Sequence, residues 1–205
     1  MKKTLICVGL GSTGKISLDI IKKNNKYQNY KILDLPHNFN KIVLKNQLKK
    51  IGSENKVDLV IGFANIKNLK KNEEIYNILK ASGYNIINVF HYTSIIDANV
   101  KFGKGVKVFP GAIINRGCKI RDNVLINTGA IIEHDCIIGN HSQISPGCIL
   151  AGNVKIGKST FIGMGSKILQ GINIGKNSII GAGSVVLKNI PDNSTYVGVP
   201  AIKIK

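Results

Sequence analysis

The sequence predicts two parts, an α/β domain over residues 1–90 and a parallel β-helix of six-residue repeats over residues 91–205. Three observations support this fold class. A period of six runs without insertion from Asn99 to Lys188, strand and helix signals alternate before it, and a glycine-rich loop follows the first strand. A chain of 205 residues can bury a core in each part.

The first ninety residues alternate between strand and helix signals. The predicted strands are Thr4–Gly9, Lys31–Leu33, Val57–Gly62 and Asn85–Phe90, and the predicted helices are Gly14–Lys23, Asn40–Lys50 and Asn72–Ala81. This alternation predicts a small parallel sheet with Rossmann-like winding. We expect the domain boundary near His91–Asp97.

The loop Gly9–Lys15 (GLGSTGK) has three possible interpretations. It matches most of a phosphate-binding P-loop, but Ile16 replaces the Mg²⁺-binding hydroxyl. It also matches G-x-G-x-x-G, with Asp34 twenty residues beyond Gly14, which suits a nucleotide at a helix N-terminus. The third interpretation is a glycine turn that only allows the helix to pack tightly on the strand.

The repeat is divided into fifteen hexads, of which the first begins at Asn99. The fourth residue of every hexad is large and apolar: Phe102, Val108, Ile114, Ile120, Ile126, Ile132, Ile138, Ile144, Leu150, Ile156, Ile162, Ile168, Ile174, Ile180 and Val186. The second residue is small in nearly every hexad. A period of six fits neither a helix nor simple alternation, whereas a solenoid with three short strands in each coil explains it.

Positions two and four of a hexad lie on the same side of a strand, so we assign both to the interior. Gly and Asn at the hexad starts tolerate the tight turns between strands. Three hexads per coil predict five coils, stacked about 4.8 Å apart. Cys118, Cys136 and Cys148 occupy the small inward position and are interpreted as packing residues, without a disulfide or a zinc site.

The chain is strongly basic, with 29 Lys and Arg, 11 Asp and Glu, and a formal charge of +18. Lysines are spread along the chain, and Arg116 and Arg121 are the two arginines, so a compositional bias explains the charge. Base-reading modules use Arg forks and stacked aromatic residues, which this chain lacks, and we expect no nucleic-acid partner. The basic field would still attract phosphate-bearing ligands.

The sequence contains no apolar run near the ~20 residues that a membrane span needs. The apolar stretch Thr4–Leu10 is short and leads into the glycine loop, so we interpret it as a first strand and not as a signal peptide. We therefore expect a cytoplasmic protein without a membrane partner.

The triplet Glu133-His134-Asp135 contains the best candidate for acid–base chemistry. A neighbouring carboxylate can orient an imidazole and stabilise its protonated form. An exposed histidine on a solenoid can equally have no function, so the triplet alone leaves both possibilities open. A zinc enzyme of this architecture needs about three convergent histidines, but the repeat contains His134 and His141 alone, and we expect no metal.

Two segments carry a specific resemblance: Asn127–Gly157 (NTGAIIEHDCIIGNHSQISPGCILAGNVKIG) and Gly181–Ala201 (GAGSVVLKNIPDNSTYVGVPA). They resemble bacterial hexapeptide-repeat sugar N-acetyltransferases and the related sialic-acid O-acetyltransferase group, and the resemblance extends over essentially the whole chain. It implies a left-handed β-helix, a homotrimer with sites between subunits, acetyl-CoA as co-substrate and no metal.

The resemblance also implies site residues. His134 falls on the general base of the family and Asp135 on its acidic neighbour. Nucleotide-sugar contacts fall on Gly11, Ser12, Thr13, Asp34, Leu35 and Gly62, and acetyl-CoA contacts fall on Gln143, Gly152, Met164 and Ala182. Thr13 and Gln143 stand where the family usually has histidines, which leaves the identity of the sugar open.

The implied function is acetyl-CoA-dependent N-acetylation of a nucleotide-linked amino sugar of the 4-amino-4,6-dideoxy type, for surface glycan or glycoprotein biosynthesis. Alternatives are O-acetylation of a sugar or sialic acid, and a non-catalytic scaffold that binds a nucleotide or a polyanion. Because the repeat has no inserted loop, we expect the acceptor pocket to use the front domain.

Overall fold

The structure is a computed structural model that describes residues 3–23, 27–34, 42, 44, 46–47, 50, 57–64 and 69–205. The chain divides into two compact units, Met1–Val89 and Phe90–Lys205. Among the described residues, no helix has the length and apolar character that a membrane crossing requires.

The first unit contains a four-stranded parallel sheet. Its strands are β1 (Thr4–Val8), β2 (Asn29–Leu33), β3 (Val57–Ile61) and β4 (Asn85–Ile86), in the order β2-β1-β3-β4. Helix α1 (Ser12–Lys23) follows β1, and α2 (Leu69–Ala81) lies between β3 and β4 in the chain. Residues 42, 44, 46, 47 and 50, within the helix predicted at Asn40–Lys50, are helical. A small parallel sheet is therefore confirmed, whereas the Rossmann-like winding stays a prediction.

The central strands of this sheet are apolar because both of their faces are covered. Leu5–Val8 and all of β3 are buried. Asp58 is the charged residue of these buried strands. Its carboxylate accepts hydrogen bonds from the Tyr27 hydroxyl at 2.8 Å, from Asn85 Nδ2 at 2.8 Å and from Lys3 Nζ at 3.2 Å. Three donors compensate the loss of hydration of this buried carboxylate.

The second unit is a parallel β-solenoid of about six turns with three faces. Face 1 consists of β5 (Val89–Phe90), β8 (Lys107–Val108), β11 (Leu125–Ile126), β14 (Gln143–Ile144), β17 (Phe161–Ile162), β20 (Ile179–Ile180), β22 (Thr195–Val197) and the antiparallel β23 (Ile202–Lys203). Face 2 consists of β6 (Ile95–Ile96), β9 (Ile113–Ile114), β12 (Ile131–Ile132), β15 (Ile149–Leu150), β18 (Lys167–Ile168) and β21 (Val185–Val186). Face 3 consists of β7 (Lys101–Phe102), β10 (Lys119–Ile120), β13 (Ile137–Ile138), β16 (Lys155–Ile156) and β19 (Asn173–Ile174).

The strand register confirms the hexad assignment. Residues 18 apart pair between neighbouring strands of a face, as Ile131 does with Ile149. From Val106 to Val186, every residue at the second and fourth hexad positions is buried. Cys118, Cys136 and Cys148 are fully buried in this core. The fourth-position residues therefore form the continuous apolar column that the sequence predicts. The small second-position residues beside it include the buried hydroxyl side chains of Ser142, Thr160, Ser166, Ser178 and Ser184.

The turns between faces explain which residue types occupy the first hexad position. In all fourteen hexads from residue 105 to residue 183 the first residue has a positive φ. Eight of these residues are glycines, and the others are Asn123, Asp135, His141, Asn153, Ser159 and Asn177. Glycine adopts this conformation freely, and Asn and Asp tolerate it better than most residues.

Two predictions about the solenoid were wrong. Asn85–Phe90 is not one strand, since Asn85–Ile86 belongs to the sheet of the first unit and Val89–Phe90 to face 1. The solenoid has about six turns instead of five, because β5 and β6 pair with β8 and β9 although they precede the first clear hexad. Backbone pairing needs no hexad side chains: the His91 N–H donates to the Val108 carbonyl at 2.9 Å.

Candidate active site

The candidate site lies on the edge where the chain turns from face 2 to face 3, called edge 2–3 below. Residues 18 apart stack along this edge, and its sixth hexad positions carry Arg116, His134, Gly152 and Gln170. The backbone is held on both sides of His134, since the Asp135 N–H donates to the Arg116 carbonyl and the Asn153 N–H to the His134 carbonyl, both at 2.9 Å. The imidazole therefore projects from a regular, hydrogen-bonded turn.

Asp135 orients the imidazole of His134. Its Oδ2 lies 3.0 Å from His134 Nδ1, and the two side chains are 58% and 46% exposed. A carboxylate at Nδ1 favours the tautomer that carries its proton there, which leaves Nε2 as the proton acceptor. Gly117, one coil earlier, makes room for this pair, because a Cβ at Gly117 would strike the Asp135 carboxylate.

Gly152 lies directly beside Nε2. A Cβ added at Gly152 would stand 2.5 Å from His134 Nε2 and 2.6 Å from Cε1. Gly152 is also the one glycine among the fifteen residues at the sixth hexad position. The turn itself accepts side chains at this position, so the imidazole explains the glycine. Gly152 is itself buried, and the absence of a side chain brings its backbone close to Nε2 of the imidazole.

The residues under the edge hold it in place without entering the chemistry. Asn115 Nδ2 donates to Glu133 Oε2 at 2.8 Å, and the Cys118 thiol donates to the Glu133 carbonyl at 3.0 Å. The hydrogen-bonded Cys118 and burial raise the pKa of the Cys136 thiol. Burial likewise raises the pKa of Cys148 to about 11. These two cysteines therefore stay protonated packing residues near neutral pH.

The residues assigned to acetyl-CoA do not meet within one chain. Gly152 lies beside His134, but Met164 and Ala182 are exposed on the edge between faces 1 and 2, called edge 1–2. Gln143 is buried in β14 on face 1. Among the described residues, no group of three or more His, Cys, Asp or Glu side chains could hold a metal ion.

The residues assigned to the nucleotide sugar lie in the loops after the strands of the first unit. Gly11 is exposed between β1 and α1, Ser12 is the exposed first residue of α1, Thr13 is half-buried in α1, and Asp34 is exposed directly after β2. Leu35 lies outside the described residues. The carboxyl ends of parallel strands share one edge of a sheet, which places these loops at that edge.

Gly14 and Gly62 have a packing reason to be glycines. A Cβ at Gly14 would lie 2.5 Å from the Gly9 carbonyl oxygen and 2.9 Å from that of Gly62. The Gly62 N–H donates to the Val8 carbonyl at 2.9 Å. This close approach supports the tight-turn interpretation for these two glycines and leaves a nucleotide role open for Gly11 and Ser12.

Sequence reasoning missed Gly117 and the position of Arg116. Both stack one coil before the His134–Asp135 pair on edge 2–3. The 18-residue spacing was the signal that could have found them, because it identifies the residues that share an edge.

Comparisons with known proteins agree with this architecture. The family described as Bacterial transferase hexapeptide (six repeats) matches residues 117–152 and 153–188. No curated protein sequence matches the chain. The chain is similar in structure to the acetyltransferase domain of PglB from Neisseria gonorrhoeae in complex with acetyl coenzyme A, with a TM-score of 0.88, 26% identity and coverage of 100% of both chains.

Two further solved structures are similar over almost the whole chain. One is a mutant of perosamine N-acetyltransferase from Caulobacter crescentus in complex with CoA and GDP-perosamine, with a TM-score of 0.87, 25% identity and coverage of 100% of this chain and 98% of that one. The other is WeeI from Acinetobacter baumannii, with a TM-score of 0.82, 22% identity and coverage of 98% and 100%. The WeeI match shows the fold alone.

Proposed function

Because this chain belongs to the hexapeptide-repeat sugar acetyltransferases, we propose that it transfers the acetyl group of acetyl-CoA to the amino group of a nucleotide-linked amino sugar, of the 4-amino-4,6-dideoxy type. The observation that carries the proposal is the His134–Asp135 pair with its Nε2 beside Gly152. The acetyl-CoA and the GDP-perosamine of the similar structures support the two substrate classes.

The reaction needs one base and one oxyanion donor. The acceptor amine attacks the thioester carbonyl and His134 Nε2 removes an amine proton, which gives a tetrahedral oxyanion. The carbonyl then re-forms as the C–S bond breaks. The protonated imidazole, stabilised by Asp135, returns the proton to the leaving thiolate of CoA. Such base catalysis contributes ~10²–10⁴-fold. We assign the N–H of Gly152 to the developing oxyanion, a contact worth ~10²–10³-fold.

A homotrimer would complete the site. Face 2 presents an apolar outer column of Ile95, Ile113, Ile131, Ile149 and Val185, interrupted by Lys167. This face lies between edges 1–2 and 2–3, so three copies packed through face 2 about a threefold axis would bring edge 2–3 of each copy beside edge 1–2 of the next. Met164 and Ala182 of one copy would then approach His134 of its neighbour, where acetyl-CoA is assigned.

The remaining assignments belong to this proposal as predictions. The nucleotide part of the acceptor is assigned to Gly11, Ser12, Thr13, Asp34 and Leu35 with Gly62, and the acetyl group also to Gln143. Gly11 and Ser12 are exposed at the start of α1, where the first N–H groups of a helix have no partner within it, and this supports a phosphate contact there. The left-handed winding of the solenoid is likewise expected from the resemblance.

The test is an acetyl-transfer assay with His134→Ala and, as control, Asn140→Ala. Asn140 occupies the sixth position of the next hexad, on the edge between faces 3 and 1. We expect His134→Ala to lower kcat by ~10²-fold or more with folding and nucleotide binding intact, and Asn140→Ala to retain activity. Wild-type turnover in His134→Ala would show that His134 is not the general base.

The acceptor panel separates the alternatives. Nucleotide-linked amino sugars and matched hydroxy sugars are compared with acetyl-CoA as donor. Acetylation of the hydroxy sugars alone would establish O-acetylation, and binding of nucleotides without any acetyl transfer would favour the scaffold.

A further inference from the structure

Arg116 is the neighbour of His134 along edge 2–3, on the side away from Gly152. It occupies the same hexad position one coil earlier, and its carbonyl accepts the Asp135 N–H at 2.9 Å. Successive coils are about 4.8 Å apart. The imidazole therefore has a guanidinium-bearing residue on its N-terminal side and a bare glycine backbone on its C-terminal side.

The side chain of Arg116 is exposed, and it forms no ion pair or hydrogen bond with any residue that the structure describes. The carboxylate of Asp135, which lies over Gly117 in the neighbouring coil, is directed to His134 instead. An exposed arginine without a carboxylate partner beside a candidate catalytic base is thus positioned for an anion from outside the chain.

The choice of arginine is also informative in this sequence. Arg116 and Arg121 are the two arginines, whereas all other basic residues are lysines. A compositional bias that explains scattered lysines does not explain an arginine beside the candidate base. The planar guanidinium binds carboxylates and phosphates through two parallel hydrogen bonds, which an ammonium group does not do.

We propose that Arg116 binds an anionic group of the acceptor, a phosphate or a ring carboxylate, and thereby selects acceptors and holds the amine near His134. This inference rests on the proposed function. The residues assigned to acetyl-CoA on the solenoid edges, Gly152, Met164 and Ala182, belong to later coils than His134. Acetyl-CoA then occupies the C-terminal side of the imidazole, and the acceptor meets Arg116 on the other side.

The experiment compares Arg116→Gln, Arg116→Lys and Arg121→Gln in steady-state kinetics. Arg121 is exposed next to β10 on face 3, and its substitution removes the same charge. We expect Arg116→Gln to raise the acceptor KM about tenfold or more, as for a lost charge-assisted hydrogen bond. The kcat and the acetyl-CoA KM should stay near wild type. Arg116→Lys should be intermediate, and Arg121→Gln should match wild type.

Three acceptors identify the anionic group. The first is the nucleotide-linked amino sugar, the second is an uncharged methyl glycoside of the same amino sugar, and the third is that glycoside with a ring carboxylate. We expect Arg116→Gln to have no effect on the KM of the uncharged glycoside. An effect confined to the nucleotide-linked sugar identifies the phosphate, and an effect retained with the third acceptor identifies the carboxylate.

Other outcomes would overturn the inference. A higher KM for acetyl-CoA would place Arg116 on the CoA phosphates, and a changed pH profile of kcat at constant acceptor KM would mean that it acts through Asp135. An equal rise of the acceptor KM in Arg121→Gln would mean that the effect comes from the net charge of the protein and not from a contact of Arg116. Absence of acetyl transfer by the wild-type protein to every acceptor would instead contradict the proposed function.

Discussion

The imidazole of His134 is positioned by small residues as much as by its hydrogen bond. Gly117 leaves space for the Asp135 carboxylate, and Gly152 leaves space for the ring itself. Both stack on His134 or Asp135 through the 18-residue period. At the residue scale, therefore, two missing side chains shape the candidate site.

Gly152→Ala tests this arrangement. Its Cβ would displace the imidazole, which is the movable end of a side chain, so we expect a fall in kcat of ~10-fold or more with only a small change in stability. Activity and thermal unfolding are measured together. The control is Lys158→Ala. Lys158 occupies the sixth position of the next hexad, which lies on a different edge of the solenoid. Full activity of Gly152→Ala would show that the ring needs no such space.

Asp135 serves both the turn and the imidazole, and two substitutions separate these roles. Its φ is +58°, a conformation that asparagine tolerates and alanine disfavours. Asp135→Asn should lower kcat while unfolding stays near wild type. Asp135→Ala should lower kcat and also cost ~1–2 kcal/mol of unfolding free energy. Equal stability of the two variants, measured by denaturant unfolding, would contradict the turn argument.

At the scale of elements, the first unit depends on a buried carboxylate that joins its strands. Burial alone would raise the pKa of Asp58, but hydrogen bonds from Asn85, Tyr27 and Lys3 outweigh it and lower the pKa below its usual value. Asn85 belongs to β4, Tyr27 to the segment before β2, and Lys3 directly precedes β1. The ionised form of Asp58 therefore holds these elements together.

A lowered pKa makes this contribution dependent on pH. The stabilisation is fully present above the carboxyl pKa of the unfolded chain, about 3.9, and is lost as the pH falls through the lower folded-state value. We expect Asp58→Asn to cost about 1–3 kcal/mol at pH 7 and less in acid. The measurement is thermal unfolding across pH 2–7, with the exposed Asp19→Asn as control. A pH-independent difference would contradict the linkage.

At the scale of the whole molecule, the distribution of charge favours assembly through one face. Lys101, Lys119 and Lys155 lie on the outer side of face 3, whereas the outer column of face 2 is largely isoleucine. Packing through face 2 buries apolar surface, and packing through face 3 would oppose like charges.

Ile131→Glu and Ile137→Glu test the assembly. Both isoleucines are half-buried at the third hexad position, the first on face 2 and the second on face 3. We expect Ile131→Glu to convert the proposed trimer to smaller species and to abolish activity, because a buried unpaired charge is strongly disfavoured. Ile137→Glu should stay trimeric in light scattering. A wild-type monomer with full activity would exclude a shared site.

The hexads made most of the solenoid predictable. Two inward residues, two positions apart, and a positive-φ turn recur in each hexad from Gly105 onward, so burial and turn positions follow from local sequence. Val89–Phe90 and Ile95–Ile96 were beyond this reasoning, because their pairing is satisfied by backbone groups whatever the side chains. Asp58 was missed for a similar reason: Lys3, Tyr27 and Asn85 are distant in the sequence and converge only in the folded sheet.

The sequence by itself determined the repeat, its core, and the His134–Asp135 pair, because each depends on residues within one hexad or on its neighbour. The tertiary structure alone decided how that pair meets its neighbours: the Asp135 carboxylate lies over Gly117, Nε2 lies beside Gly152, and Met164 and Ala182 lie on a different edge. The physical reason is the stacking of coils. Stacking brings residues 18 apart in the sequence next to each other. Their side chains face one another only once every turn between them has adopted its conformation.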